Sequence, residues 1–366
     1  MEKEINARQF AAITFMAGLA VKMVMLPSLL VSVAGRNAYV YMAIYMAVDL
    51  AVLGLIVVAV TKSKKSFYEL LESVLGKIGA RILLAVSIVL IAFKSTLMLG
   101  EVKVFFDESM YDRFLWQVYL IPLLALFGFA AVRSPRSIGR TAEITFPLIV
   151  LSIIGMFLLS AGKVDYANLL PFMRESSKGI TDYFLGVGDF SVLTIFIGKT
   201  ENKKHGKLLI MGLATVAALV VIAFTVILSA EFGNVRKLIE YGHNLGGQTE
   251  LSGSQNFGRL DLLLFSVLIT SIFIQLMVHF YAMTEFTQYI CNLWQPVARY
   301  SIAGGLILLV YIMSIFVFPT QAALYDVATS LTMRIIALPG QFLVPMTVFV
   351  GWIVQSVRSR RTYAQV

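Results

Sequence analysis

Cysteine is almost absent. Cys291 stands alone among 366 residues, which excludes an internal disulfide framework. Histidine is nearly as scarce: His205, His243 and His279 lie far apart, with no carboxylate or cysteine at metal-ligand spacing, so no metal site is expected. Charged residues make up only 14% of the chain. There is no Walker sequence to drive an ATP-dependent pump, and no strand–turn–helix setting for a nucleophilic serine. The Gly246-Gly247 pair and Gly253 form no phosphate-binding pattern, because no strand precedes them. The sequence therefore offers no catalytic residue and no cofactor, and the protein is not expected to be an enzyme.

What is abundant is apolar. Hydrophobic residues make up 58% of the chain, and the mean hydropathy is +0.83. No soluble domain of this length needs so much apolar surface, so the expected class is an all-α integral membrane protein in contact with the lipid bilayer. A net charge of +9 would suggest nucleic acid for a soluble protein; here it fits basic cytoplasmic loops, and no nucleic-acid partner is expected. The opening Met1-Glu2-Lys3-Glu4 is mixed in charge and leads into a segment too long for a signal-peptide core.

Ten spans are predicted, near 8–33, 38–60, 81–106, 114–132, 141–161, 181–198, 207–230, 260–289, 300–319 and 334–357. With the N-terminus inside, 18 of the 30 basic residues fall in inside loops and 10 outside, leaving Lys22 and Lys94 in the membrane. That bias favours cytoplasmic N- and C-termini. Residues 1–366 then form a single transmembrane domain, with 8–161 and 181–357 as two five-helix repeats of inverted topology. Ser66 to Ala80 has helical spacing of polar and apolar residues and is expected to lie at the cytoplasmic interface. The polar stretch from Glu231 to Gly258 is expected to form an outer loop.

Two of the predicted spans are interrupted. The first carries Gly18, Lys22 and Pro27, and the sixth carries Gly186 and Gly188 followed by Asp189 and Phe190. Lipid tolerates open backbone and buried charge only where protein or a water-filled cavity shields them. Interruptions at matching places in two halves point to a midplane ligand site, where freed amides suit a carboxylate and freed carbonyls suit a cation. The plainer alternative for the first span is a Pro-kinked helix whose Lys22 snorkels to an interface. In the third span, Lys94 and Glu101 share a helical face about 10 Å apart and are candidates for a polar stripe. In the eighth, Gln275 and His279 lie on one face as candidates for a cavity lining or a polar relay. Asp49 is expected to serve as a helix-packing hydrogen-bond partner.

Three stretches resemble one known family, the B subunits of spore germinant receptors, which are amino-acid-permease-like proteins of the APC superfamily. Met25-Leu26-Pro27 is similar to the family's Leu-Pro ending of the first helix. Arg140-Thr141-Ala142-Glu143-Ile144-Thr145-Phe146-Pro147 resembles its Arg-x-x-Glu-Ile-x-Phe-Pro stretch. Asp165-Tyr166-Ala167-Asn168-Leu169-Leu170-Pro171 resembles its Asp-x-x-Asn-Leu-Leu-Pro loop, the most specific of the three. The resemblance implies ten helices in a transporter-type (LeuT/APC) inverted-repeat fold with helices one and six broken. It also implies recognition of a small nutrient such as an amino acid, and assembly with A- and C-type receptor subunits in the spore inner membrane. The chain departs from the family by having Lys22 where a second glycine is usual, and Gly188-Asp189-Phe190 where the sixth span often has Gly-Phe-Glu. Lys22 and Asp189 are therefore expected to pair across the site, or to meet opposite charges of the ligand. An ammonium at this place also suggests independence from sodium. The alternative function is a secondary transporter that couples an amino acid to protons or sodium in the bacterial cell membrane.

Overall fold

The structure, a computed structural model, describes residues 5–24, 26–27, 30, 34, 37–63, 65–109, 116–160, 166–169, 186–201, 206–232, 260–318 and 320–363. Its helices are α1 (Ala7–Val24), α2 (Ala38–Lys62), α3 (Phe67–Ser109), α4 (Trp116–Val132), α5 (Pro135–Ser160) and α6 (Gly206–Phe232). They continue with α7 (Leu260–Cys291), α8 (Pro296–Ile312), α9 (Gln321–Ala328), α10 (Leu331–Leu338) and α11 (Val344–Tyr363). Among the described residues between α5 and α6 are two 3-10 elements, Tyr166–Leu169 and Asp189–Phe196. π turns at Met313–Val317 and Pro339–Leu343 extend α8 and join α10 to α11. Among the described residues the only β-type pairing is one parallel bridge, Ile5 to Thr200.

Among the described residues, seven stretches are long and apolar enough to cross a membrane: Ala38–Lys62, Phe67–Lys103, Pro135–Leu158, Gly206–Ala230, Ile269–Cys291, Pro296–Val317 and Leu331–Val357. Every backbone group in lipid needs an internal partner, which a helix supplies, so the chain is a multi-pass membrane protein. The other three predicted spans are represented by shorter elements: α1 with 18 described residues, α4 with 17, and the eight-residue 3-10 segment Asp189–Phe196.

Burial separates axis from periphery. In α7, 83% of the most apolar window is buried, against 17% in Pro296–Val317, so α7 is central and α8 faces outward. Helix α1, buried along almost its whole length, packs on α5, α6 and α7. The 3-10 segment lies among α1, α2, α3, α7 and α11.

The first helix differs from expectation. It runs without interruption from Ala7 to Val24, through both Gly18 and Lys22. The reason is packing. A Cβ on Gly18 would lie 3.0 Å from Ala217 Cβ and 3.3 Å from the Phe190 ring, so this glycine admits a neighbouring helix rather than opening its own. The sixth span is broken as expected: Gly188 takes a left-handed φ of 81°, and the chain then coils as a 3-10 helix. A second left-handed glycine, Gly198 (φ 83°), follows its far end. Glycine, lacking a Cβ, adopts such angles without steric cost. Gly76, with φ 67° and ψ 173°, breaks α3 near the expected end of the interfacial helix. Most of the predicted outer loop, 233–259, and residues 181–185 of the sixth span lie outside the described residues.

Candidate functional site

The left-handed turn at Gly188 aims its backbone N–H at Asp49 Oδ1 on α2, and presents Asp189 as the first residue of the 3-10 segment. Lys22 arrives from α1 and forms an ion pair with Asp49 Oδ2. Its Nζ also lies 3.2 Å from Asp189 Oδ2 and 4.8 Å from the centre of the Phe190 ring. From α3, Lys94 Nζ donates to Asp189 Oδ1 at 2.6 Å and to the Val187 carbonyl at 3.4 Å. Two ammoniums and two carboxylates thus meet at the break, and each of the four carboxylate oxygens faces an N–H or an ammonium. All four residues are buried, and Lys22 has no exposed surface.

An isolated charge in this setting costs several kcal/mol or more, so matched charges are the only inexpensive arrangement. The expected Lys22–Asp189 pair is present, but Asp49 and Lys94 share it. Asp49 does more than the helix packing expected of it. An intramembrane acid facing a bundle interior is itself a functional signal, and that signal marks Asp49 as well. Glu101 and Gln275 are buried but do not line the cavity beside the cluster, whereas Lys94 and His279 do.

That cavity lies between α3, the 3-10 segment, α7 and the π turn leading into α11, and its volume is about 20 Å³. Its polar wall is Ser87, Lys94, Asp189, Ser191, Thr194 and His279; Leu90, Ile91, Phe286 and Val344 supply the apolar part. Of the residues expected to bind ligand, Gly188 and Asp189 line it, whereas Gly18, Lys22, Gly186 and Phe190 do not. Gly186 is packed against Leu26, whose Cδ1 would lie 2.7 Å from an added Cβ. A cavity of this size holds about one water molecule, so any larger ligand must displace its walls.

His279 has a polar neighbour at each ring nitrogen. Ser95 Oγ donates to the Ile91 carbonyl at 2.8 Å and lies 3.1 Å from His279 Nδ1. The Gln275 amide nitrogen lies 3.5 Å from its Nε2.

One end of the bundle is cross-linked. Lys199 donates to Glu285 Oε2 at 2.8 Å and to the Tyr281 hydroxyl at 2.6 Å, while Arg299 pairs with Glu285 Oε1 at 2.8 Å. Arg299 also donates to the Ala131 carbonyl at the end of α4. Ile5 exchanges two backbone hydrogen bonds with Lys199 and Glu201. Beneath this network the Phe10, Phe196 and Tyr281 rings form a row, with centroids 5.8 and 6.0 Å apart. Nothing in the sequence spacing joins Lys199, Glu285 and Arg299, since they sit on three separate elements.

Long apolar helices around a broken span, with a buried ionic cluster at the break, define a multi-pass membrane protein with a polar site shielded inside its bundle. The chain belongs to the spore permease family, described as "Spore germination protein", whose model matches residues 4–323. That is the family its motifs resemble. A search of the curated proteins finds no match to it.

Proposed function

We propose that the chain is the membrane subunit of a spore germinant receptor, and that it binds a small polar nutrient, an amino acid, at the break in the sixth span. The observation that carries this is the cavity beside Asp189 and Lys94, which combines fixed charge, hydroxyls and an apolar wall in a chain of a spore germination family. Ligand pockets join a mostly apolar wall to a few placed polar groups in this way. In this proposal the ten predicted spans form two inverted repeats, 8–161 and 181–357, with both termini cytoplasmic in the spore inner membrane. A- and C-type subunits complete the receptor. The basic loops support the orientation. Ligand shifts an equilibrium between two states to the extent that it prefers one of them.

The test is the thermal stability of the purified chain against a panel of amino acids, in wild type and in Ser191→Phe, which fills the cavity. At ~100 times its dissociation constant, a ligand stabilises the wild type by ~2.7 kcal/mol. The expected result is a shift by one or a few amino acids that Ser191→Phe abolishes. A shift that survives in Ser191→Phe would place the site elsewhere. Uptake of labelled amino acid by reconstituted vesicles would instead support the transporter.

A further inference from the structure

The two buried lysines are not equivalent. Lys22 is sealed off, shared between two carboxylates and set over the Phe190 ring, and it does not line the cavity. Lys94 does line it, and binds one carboxylate oxygen and a carbonyl at the longer distance of 3.4 Å. Asp189 gives one oxygen to each lysine, so it can release Lys94 and still hold Lys22.

The hydroxyls on the cavity wall have a matching polarity. Ser87 Oγ donates to the Leu83 carbonyl at 2.9 Å, and Thr194 Oγ1 donates to the Ser191 carbonyl at 2.7 Å. Their protons are committed, so they offer the cavity acceptor lone pairs. Lys94 is the one lysine or arginine among the residues that line the cavity. The cavity therefore has one movable cationic donor, Lys94, and several acceptors.

Within the proposed function, we propose that Lys94 recognises the ligand's carboxylate by exchanging its ion pair with Asp189 for one with the ligand, while Lys22 remains a structural counter-ion to Asp49 and Asp189. The ligand's ammonium takes the acceptor that Lys94 leaves, together with the wall hydroxyls. The class selected is a small zwitterion with a compact apolar side chain, set against Leu90, Ile91 and Phe286.

The experiment compares glycine, L-alanine, L-valine, alaninamide, valinamide and propionate by calorimetric titration of the purified full-length chain. The proteins are wild type, Lys94→Met, and Lys94→Met/Asp189→Asn, which keeps the buried charge balanced should the single variant fail to fold. Wild type should prefer an amino acid over its amide by about 100-fold, the scale of losing one partner of a buried charge pair. Removal of Lys94 should collapse that preference to near unity, a change that altered stability alone does not produce. If Lys94→Met/Asp189→Asn keeps the preference for the carboxylate, this inference falls and the proposed function stands. If wild type binds none of the probes, even when co-purified with A- and C-type subunits, the proposed function falls and takes the inference with it.

Discussion

Charge balance at the break is the most demanding prediction. In Lys22→Met, Asp49 and Asp189 share only Lys94, and the buried cluster carries a net charge of one negative unit. In Asp49→Asn the amide oxygen still accepts from the Gly188 N–H, but Lys22 and Lys94 share Asp189 and the cluster carries one positive unit. Breaking a buried pair from one side costs about 3–5 kcal/mol, because the remaining charge stays desolvated. Each single variant should be destabilised by that amount. The double variant Lys22→Met/Asp49→Asn leaves the Lys94–Asp189 pair intact and the cluster neutral. It should therefore lose no more than either single variant, a coupling of at least ~3 kcal/mol, at the top of the range for contacting residues. The assay is equilibrium unfolding of protein in mild detergent micelles against a denaturing detergent, with the four proteins as one cycle. Additive losses, near 6–10 kcal/mol in the double variant, would refute the ion-pair account and leave each residue with an independent packing role.

Further outcomes follow from the same geometry. Gly188→Ala forces a left-handed φ on an L-residue and places its Cβ 2.6 Å from Gln341 Cβ, so it should cost about 2–4 kcal/mol. Gly54→Ala in α2 meets nothing within 4 Å and should be neutral or stabilising by up to ~1 kcal/mol in the same assay; equal effects at both sites would contradict the role given to the turn. Glu285→Gln removes the carboxylate joining Lys199 to Arg299, and should cost about 2 kcal/mol, given the partial exposure of both cations. In a Thr194→Cys/Cys291→Ser background it should also speed labelling at position 194 by a hydrophilic thiol reagent at least tenfold, and an unchanged rate would show that the network does not restrain this end. Asn168→Ala removes the hydrogen bond that its side chain donates to the Ala230 carbonyl at 2.8 Å, and should lower stability by about 1 kcal/mol. No change in unfolding would mean that the loop is not tethered there.

The membrane class is legible because apolar content and spacing are local properties, and so is the break at Gly186–Gly188, since glycine placed before an acid has few other uses in a span. The same rule misreads Gly18. A glycine in a helix permits either an open backbone or a close neighbour, and the choice is made by Ala217 and Phe190, which are distant in sequence. Lys22 misleads in a related way. A buried ammonium opens its own helix only when no side-chain anion reaches it, and here two carboxylates do. Asp49 and Lys94 are visible as charges in lipid, but their convergence on one turn depends on how α2 and α3 pack. The loop motif around Asn168 is legible as a resemblance, while its anchoring contact is an inter-element hydrogen bond that spacing does not encode.

The cluster's neutrality bears directly on what the site will accept. Its four charges balance one another, so they are tolerated without a counter-ion from outside the chain. In the proposed exchange a zwitterion preserves that balance: its carboxylate would take Lys94, its ammonium would take the freed oxygen of Asp189, and the total would remain zero. An anion or a cation alone would leave a net charge in a medium where unmatched charge costs several kcal/mol. Neutrality therefore selects against half of an amino acid even where the half fits the space. The space itself must change, since about 20 Å³ admits a water and not an amino acid. The 3-10 segment carries one wall and lies between two left-handed glycines, Gly188 and Gly198, which makes it the element best placed to move. Binding that exchanges Lys94's partner and displaces that segment would favour one state over another through contacts that exist only in the liganded state. That differential contact is what a receptor requires to turn occupancy into a signal.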